Sequence, residues 1–264
     1  MSCASLHSAL ETAGSAKQLN NATARSLPEG LLCIVASPLS KRSYHRAAVV
    51  CFQQRVYNKF VKSESTFRKM AEADFPTRWG HFRLMGFEGL FRGDRRVEEG
   101  VALVMGDIHA KPPLVRIHSQ CLTGDVFGSL RCDCRQQLEM ALELIAKARA
   151  GVLIYELQEG RGIGLMAKLQ AYELQDNGLD TVQANEQLGF KADHRGFKLP
   201  AEILKALGLK AVRLLSNNPQ KVAALEAAGV KVTERVPCEV EAHAASEKYL
   251  RTKKQKLGHL LTKR

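Results

Sequence analysis

The stretch Val152-Leu153-Ile154-Tyr155, followed by Glu159-Gly160-Arg161-Gly162-Ile163-Gly164, indicates the fold class most directly. Four consecutive apolar or aromatic residues after a glycine predict a buried strand. Residues 136–149, before this strand, carry apolar side chains at helical spacing, and residues 165–176 after the glycines predict a second helix. Alternation of helices and strands is typical of an α/β domain whose sheet is at least partly parallel.

The rest of the chain from about Met70 onward continues this alternation, so we predict an α/β fold with a mixed sheet and flanking helices. Asn218-Pro219 has the sequence of a helix start, and the lysine-rich C-terminus predicts a solvated basic helix or tail. The other predicted strands are 79–87, 101–106, 114–117, 211–215 and 230–236, and the other predicted helices are 200–207 and one that starts at 218 and stops at Gly229.

The composition excludes some classes of protein. The chain has 264 residues, of which 45% are hydrophobic, and a net charge of +12. Wholesale disorder is therefore excluded, and the basic charge predicts an anionic partner: a nucleic acid, an anionic membrane surface or a phosphorylated small molecule. No apolar run approaches the roughly 20 residues of a membrane helix. Seven cysteines, an odd number, favour a reducing compartment, and we expect a cytoplasmic location.

Three cysteines form the strongest chemical signal, Cys121-x10-Cys132-Asp133-Cys134. In an extended segment Cys132 and Cys134 project from one face. Together with Cys121, these two thiolates can close on one ion, and thiolates favour zinc over magnesium or calcium. Three cysteines with water as the fourth ligand predict a catalytic zinc, whereas His118 as the fourth ligand would make the site structural. Three buried free thiols are the remaining alternative.

Three further segments favour contact with an anion. The glycine-rich loop around Arg161 precedes a helix, whose amino terminus attracts phosphate, although a tight turn alone explains the glycines equally well. Asp193-His194-Arg195 is either a surface ion pair or a proton acceptor beside a phosphate-binding guanidinium. Ser216 through Lys221 is either an ordinary helix cap or a phosphate site. With the predicted zinc site, these segments indicate an enzyme that acts on a phosphorylated compound.

At these residues the sequence resembles the GTP cyclohydrolase II family, whose members open GTP for riboflavin synthesis. The resemblance covers about 67–264, which we expect to form the catalytic domain, and it leaves 1–66 as an N-terminal extension of unknown role. The stretches that carry it are Val115-Arg116-Ile117-His118-Ser119, Cys121-Leu122-Thr123-Gly124-Asp125, Ser129-Leu130-Arg131-Cys132-Asp133-Cys134, Gln158-Glu159-Gly160-Arg161, Gly189-Phe190 and 214–222.

The resemblance implies a role for each matching position. Cys121, Cys132 and Cys134 would bind the zinc ion that activates the water attacking C8 of guanine. Arg195 would be the nucleophile on the α-phosphate, with Asp193 as its proton acceptor, and Tyr172 would assist ring opening. The residues implied in holding GTP are Arg116, Ile117, His118, Ser119, Gln120, Gln137, Glu159, Gly160, Arg161, Thr181, Ser216 and Lys221.

The resemblance also implies that formate and pyrophosphate leave, that Mg²⁺ accompanies the triphosphate, and that the enzyme is a homodimer without nucleic-acid or membrane partners. Three positions depart from the usual family pattern: Gln120 replaces Glu, Ser216 replaces Thr and Arg135 replaces Gly. Arg135 beside a thiolate would make the site more electropositive. Two alternatives remain open, a paralogue with another product or no activity, and a zinc-stabilised basic module that binds nucleic acid.

Overall fold

A computed structural model describes residues 65–91, 96–191, 193–241 and 243–262 of the chain. The predicted N-terminal extension therefore lies outside the described residues, apart from its last two positions. In the described part, no helix is both long enough and apolar enough to cross a membrane.

A seven-stranded sheet in the order β1-β2-β3-β5-β4-β6-β7 forms the centre of the described chain. Strands β1, β2, β3 and β5 pair antiparallel in that order, while β5, β4, β6 and β7 pair parallel. The predicted mixed sheet is confirmed. The strands are β1 (Thr66–Thr77), β2 (Gly80–Leu90), β3 (Glu98–Met105), β4 (Leu114–Ser119), β5 (Gly151–Glu156), β6 (Ala211–Leu215) and β7 (Lys231–Val236).

Seven α-helices flank this sheet within the described residues, and two short 3-10 turns, Glu159–Gly162 and Ala244–Ser246, lie between them. Every predicted helix is present within a few residues of its expected bounds. The helices are α1 (Leu122–Asp125), α2 (Cys134–Ala148), α3 (Leu165–Asp176), α4 (Thr181–Gln187), α5 (Lys198–Ala206), α6 (Pro219–Ala227) and α7 (Glu247–Leu257).

Apolar side chains fill both faces of the sheet, and β5 shows how. Val152 and Ile154 belong to the cluster that includes α5 and α6, whereas Leu153 belongs to the cluster around α2. Neighbouring residues of a strand point to opposite faces, so both faces of β5 are covered. This burial explains why the strand reads as an unbroken apolar run. The catalytic candidates then lie where β4 and β5 end.

The end of α2 and the start of β5 lie close together along the chain. Arg149, with φ 55°, adopts the left-handed conformation that ends the helix. Gly151 instead begins β5, where an added Cβ would lie 2.7 Å from the Leu114 carbonyl oxygen. The glycine thus permits close approach of two strands rather than a helix cap.

Candidate active site

The three predicted metal ligands lie together at the carboxyl end of β4. Cys121 precedes α1, Cys132 lies in the following turn and Cys134 begins α2. Their sulfur atoms lie within 4.8 Å of one another, and the Cys121 and Cys132 sulfurs are 3.6 Å apart. Tetrahedral zinc with Zn–S bonds of about 2.3 Å separates its sulfurs by about 3.8 Å. The thiols therefore fit a zinc ion by both chemistry and spacing.

His118 does not join this group. Its Nε2 lies 3.1 Å from both carboxylate oxygens of Asp125, and its ring stacks on Tyr155 with centroids 5.4 Å apart. Burial lowers the pKa of His118 more than the bond to Asp125 raises it, which favours the neutral ring. Among the described residues the metal group contains three protein ligands, as a catalytic zinc site does.

The cation nearest the thiols is Lys168, which the sequence analysis missed. Its Nζ lies 3.2 Å from the Cys121 sulfur and 2.7 Å from Oε1 of Glu159. Hydrogen bonds with Cys132 and Cys134 lower the pKa of Cys121, and the charge of Lys168 lowers it further. Lys168 lies one helical turn before the predicted Tyr172, and this i,i+4 spacing was the available signal.

Arg135, which was expected to make the metal site electropositive, points elsewhere. Its Nε donates to Glu139 at 3.2 Å and its Nη1 donates to the Asp125 carbonyl at 3.4 Å. The side chain is 43% exposed, so solvent screens its charge. The positive charge that the sequence assigned to Arg135 is supplied by Lys168.

The absence of a side chain at Gly124 leaves space for the three thiols. An added Cβ would lie 3.0 Å from the Cys132 sulfur, 3.2 Å from the Cys121 sulfur and 3.1 Å from the Cys134 Cβ. A side chain at position 124 therefore occupies the space where the sulfurs converge.

Replacing Gly124 with alanine is expected to weaken zinc binding by at least about tenfold while the chain stays folded, because the methyl group pushes the sulfurs apart. Competition with a zinc chelator measures the affinity. Gly86→Ala is the matched control, because the space around Gly86 is open. Equal zinc affinity in the two variants would contradict this account of Gly124.

One cleft brings together all but two of the predicted site residues. The exceptions are Ile117, which is buried in the core with its carbonyl facing Lys221, and Asp193, which contacts Arg195. The predicted residues that line the cleft are Arg116, His118, Ser119, Gln120, Cys121, Cys132, Cys134, Gln137, Glu159, Gly160, Arg161, Tyr172, Thr181, Arg195, Ser216 and Lys221. Residues that the sequence analysis missed include Lys168, Asn185, Tyr249, Lys253 and His259.

The glycine-rich loop presents Arg161 to this cleft. Gly160 and Arg161 both have φ 61°, a left-handed conformation that is uncommon for a residue other than glycine. Both terminal nitrogens of Arg161 are buried and make no hydrogen bond with the described residues. Since a buried guanidinium requires compensation, this arrangement favours an anionic ligand as its partner.

Arg195 and Asp193 form a bidentate ion pair next to this loop. Arg195 Nε donates to Oδ1 at 3.0 Å and Nη2 donates to Oδ2 at 2.5 Å. Burial raises the pKa of Asp193, but the hydrogen bonds and the charge of Arg195 lower it by more, so the net effect is a lowered pKa. Both side chains are nearly buried, so the alternative of a surface ion pair is wrong. His194 N donates to the Arg161 carbonyl at 3.0 Å and joins the two loops.

In the segment that starts at Ser216 the structure confirms the helix cap, and the phosphate site stays a prediction. Asn218 Oδ1 accepts from Gln220 N at 3.0 Å, which confirms the helix cap at the start of α6. Lys221 is buried in the first turn with its Nζ 2.8 Å from the Ile117 carbonyl. Burial lowers the pKa of Lys221, and the charges of Arg195 and Arg116 lower it further. A phosphate bound here would relieve that repulsion.

Tyr172 connects the two parts of the cleft. Its hydroxyl lies 3.2 Å from Thr123 Oγ1, which in turn lies 3.7 Å from the Cys121 sulfur. Burial raises the pKa of Tyr172, so its hydroxyl keeps its proton and can donate it in a hydrogen bond. The Tyr172 hydroxyl is therefore linked to the cysteine group through Thr123.

A mixed α/β sheet, three convergent thiols that could hold a metal ion and a cleft lined by buried cations are together typical of a hydrolase that acts on a phosphorylated compound. The comparisons with known proteins agree. The family model described as GTP cyclohydrolase II matches residues 68–237, and the chain belongs to the GTP cyclohydrolase II family.

Its relatives carry matching names. A GTP cyclohydrolase-2 of Yersinia pseudotuberculosis is 55% identical over 197 residues, which are 74% of this chain and 98% of that protein. One from Escherichia coli O9:H4 is 54% identical with the same coverage. A riboflavin biosynthesis protein RibBA of Chlorobium phaeovibrioides is 49% identical over 81% of this chain and 50% of its own length.

Proposed function

We propose that this chain hydrolyses GTP, opening the imidazole ring of guanine and releasing formate and pyrophosphate in the first step of riboflavin biosynthesis. The observation that carries the proposal is one cleft that holds both a three-thiolate metal group and several buried cations. Ring hydrolysis needs the metal-binding thiolates, and triphosphate cleavage needs the buried cations. Membership of the GTP cyclohydrolase II family supports this substrate.

Cys121, Cys132 and Cys134 would hold a zinc ion in the thiolate form. Zinc with an open fourth position lowers the pKa of water and supplies hydroxide near neutral pH. Lys168 compensates the negative charge that three thiolates concentrate, and Glu159 fixes Lys168 in place. Tyr172 donates a hydrogen bond to the ring as it opens and keeps its proton while doing so.

Arg195 would act on the α-phosphate, as the family resemblance implies. In this step a guanidinium nitrogen of Arg195 forms a bond to the α-phosphorus, the bond from phosphorus to the bridging oxygen breaks, and pyrophosphate leaves. Asp193 receives the guanidinium proton through the hydrogen bonds already present. Arg161 and Lys221 neutralise the charge of the phosphates, and water later hydrolyses the nitrogen–phosphorus bond.

The remaining predicted residues would bind the nucleotide. Arg116 is buried and fixed by bonds from Nη2 to Gln137 at 2.7 Å and from Nη1 to the Leu215 carbonyl at 3.0 Å. The other positions assigned to binding are Ile117 through its backbone, His118, Ser119, Gln120, Glu159, Gly160, Thr181 and Ser216. Mg²⁺ on the triphosphate, a homodimer and a cytoplasmic location complete the proposal.

The decisive experiment incubates the purified chain with GTP, Mg²⁺ and Zn²⁺ and measures formate and pyrophosphate in parallel. Equal amounts of both products are expected. Pyrophosphate without formate would identify a paralogue with another product. Binding of nucleic acid in place of GTP turnover would favour the basic binding module.

The N-terminal extension, residues 1–66, is expected to be dispensable for this activity, and removing residues 1–63 tests this. The motifs and the family match lie beyond them, and β1 begins at Thr66. A chain that starts at Glu64 should fold and keep kcat within about twofold of the full chain, as measured by formate release. A folded but inactive short chain would assign the extension a catalytic role.

A further inference from the structure

The C-terminal segment, residues 247–262, follows the family match, which ends at residue 237. It nevertheless lines the cleft through Tyr249, Lys253 and His259. The sequence predicted a solvated basic helix here, but the Lys253 side chain is only 10% exposed. Burying a charged lysine in the wall of this cleft costs free energy unless a partner compensates the charge.

Lys253 forms an ion pair with the residue between two metal ligands. Its Nζ donates to Asp133 Oδ1 at 2.8 Å, and the Asp133 side chain is 3% exposed. Asp133 connects Cys132 to Cys134 along the chain. The ion pair therefore joins α7 to the turn that carries two of the three thiols.

The same carboxylate continues the connection toward the nucleotide-binding side. Asp133 Oδ2 accepts from Gln137 Nε2 at 2.5 Å, and Gln137 Oε1 accepts from Arg116 Nη2 at 2.7 Å. One continuous series of hydrogen bonds thus runs from Lys253 through Asp133 and Gln137 to Arg116. A buried series of linked hydrogen bonds of this kind restricts the positions of its members.

The segment is anchored on both sides of the cleft. Lys256 pairs with Asp180 at 2.6 Å at the start of α4. After α7, Leu260 N donates to the Asn217 carbonyl at 2.8 Å, next to the phosphate-side residues. The Tyr249 ring lies 4.5 Å from Lys253 Nζ and 5.7 Å from the guanidinium carbon of Arg161.

We propose that the C-terminal segment forms one wall of the active site and that Lys253 is a positioning residue for the reaction. Acting through Asp133, Lys253 holds the Cys132–Cys134 turn and Arg116 in the arrangement that ring opening needs. The inference rests on the proposed function. It adds to the working site Lys253, which lies beyond residues 68–237, the part matched by the family model.

Lys253→Met tests this directly, because methionine keeps most of the side-chain volume without the charge. We expect kcat for formate release to fall at least about tenfold, with zinc content unchanged. Lys254→Met is the matched control, because Lys254 is the exposed neighbour and does not line the cleft. Lys253→Arg, which keeps the charge, should recover part of the lost rate.

Asp133→Asn and the double variant Asp133→Asn/Lys253→Met test whether Lys253 acts through Asp133. If Lys253 acts through Asp133, the double variant loses no more than the worse single variant. The double variant also removes the uncompensated Asp133 charge, so it is the variant to measure if Lys253→Met does not fold. Binding of GTP with a methylene group between the α- and β-phosphates gives a readout separate from turnover and should weaken in parallel.

The outcomes separate the two proposals. No GTP turnover by the unaltered chain would refute the proposed function. Turnover by the unaltered chain with kcat in the Lys253→Met and double variants within twofold of Lys254→Met would overturn only the role of Lys253. If the fold losses in kcat of the two single variants multiply in the double variant, the role of Lys253 would also be overturned, because Lys253 would then act independently of Asp133.

Discussion

Replacing Cys132 with serine is expected to remove the zinc and to lower the rate of formate release by about three orders of magnitude or more. The hydroxyl is a poor substitute for a soft thiolate, and only two thiols would remain of the group. Losing a metal that activates water removes several kcal/mol of transition-state stabilisation, and each 1.4 kcal/mol is a factor of ten. Zinc per chain and formate release measure the two effects.

The control for this change is Cys238→Ala. Cys238 is also buried, but it lies in the apolar cluster around α2 and outside the metal group. This variant should keep one zinc per chain and most of the formate release. The same loss is expected for Cys121→Ser and Cys134→Ser. Full zinc retention in all three serine variants would refute the assignment of the ligands.

The sequence predicted most of the fold because the informative segments are buried. Strand β5 is covered on both faces and therefore reads as an apolar run, and Asn218-Pro219 carries the chemistry of a helix start. Strand β1 was not predicted, because nearly all of its side chains are exposed and it lacks the alternation of apolar and polar residues that identifies a strand. Pairing with β2 along its whole length specifies it instead.

The site was predictable where its chemistry depends on local spacing. Cys132 and Cys134 are two residues apart, and Arg195 is two residues from Asp193, so short motifs reveal both pairs. Lys253 lies 120 residues from Asp133, and Lys254 and Lys256, which follow it closely, are exposed. Only the tertiary fold distinguishes this buried lysine from a solvated basic face, which is why the sequence indicated a solvated basic helix or tail.

The last prediction separates the two halves of the reaction. Arg195→Ala is expected to abolish pyrophosphate release while zinc content stays unchanged, because Arg195 contacts Asp193 and Ser119 rather than the thiols. Cys132→Ser should show the opposite pattern, in which formate release is lost and pyrophosphate release is at least partly retained. Measuring both products and zinc on the same samples tests the division directly.

Arg195→Lys then distinguishes charge from covalent chemistry. Burial lowers the pKa of Arg195, but the hydrogen bonds and the charge of Asp193 raise it by more, so the net effect is a raised pKa. The resting group is therefore a cation suited to binding phosphate. If Arg195 acts only as that cation, lysine should keep much of kcat with a raised KM, since it retains the charge but not the forked guanidinium. If a guanidinium nitrogen forms the bond to phosphorus, kcat should collapse for both Arg195→Lys and Arg195→Ala. We expect the collapse, and a normal kcat for pyrophosphate release in Arg195→Ala would refute the nucleophile role.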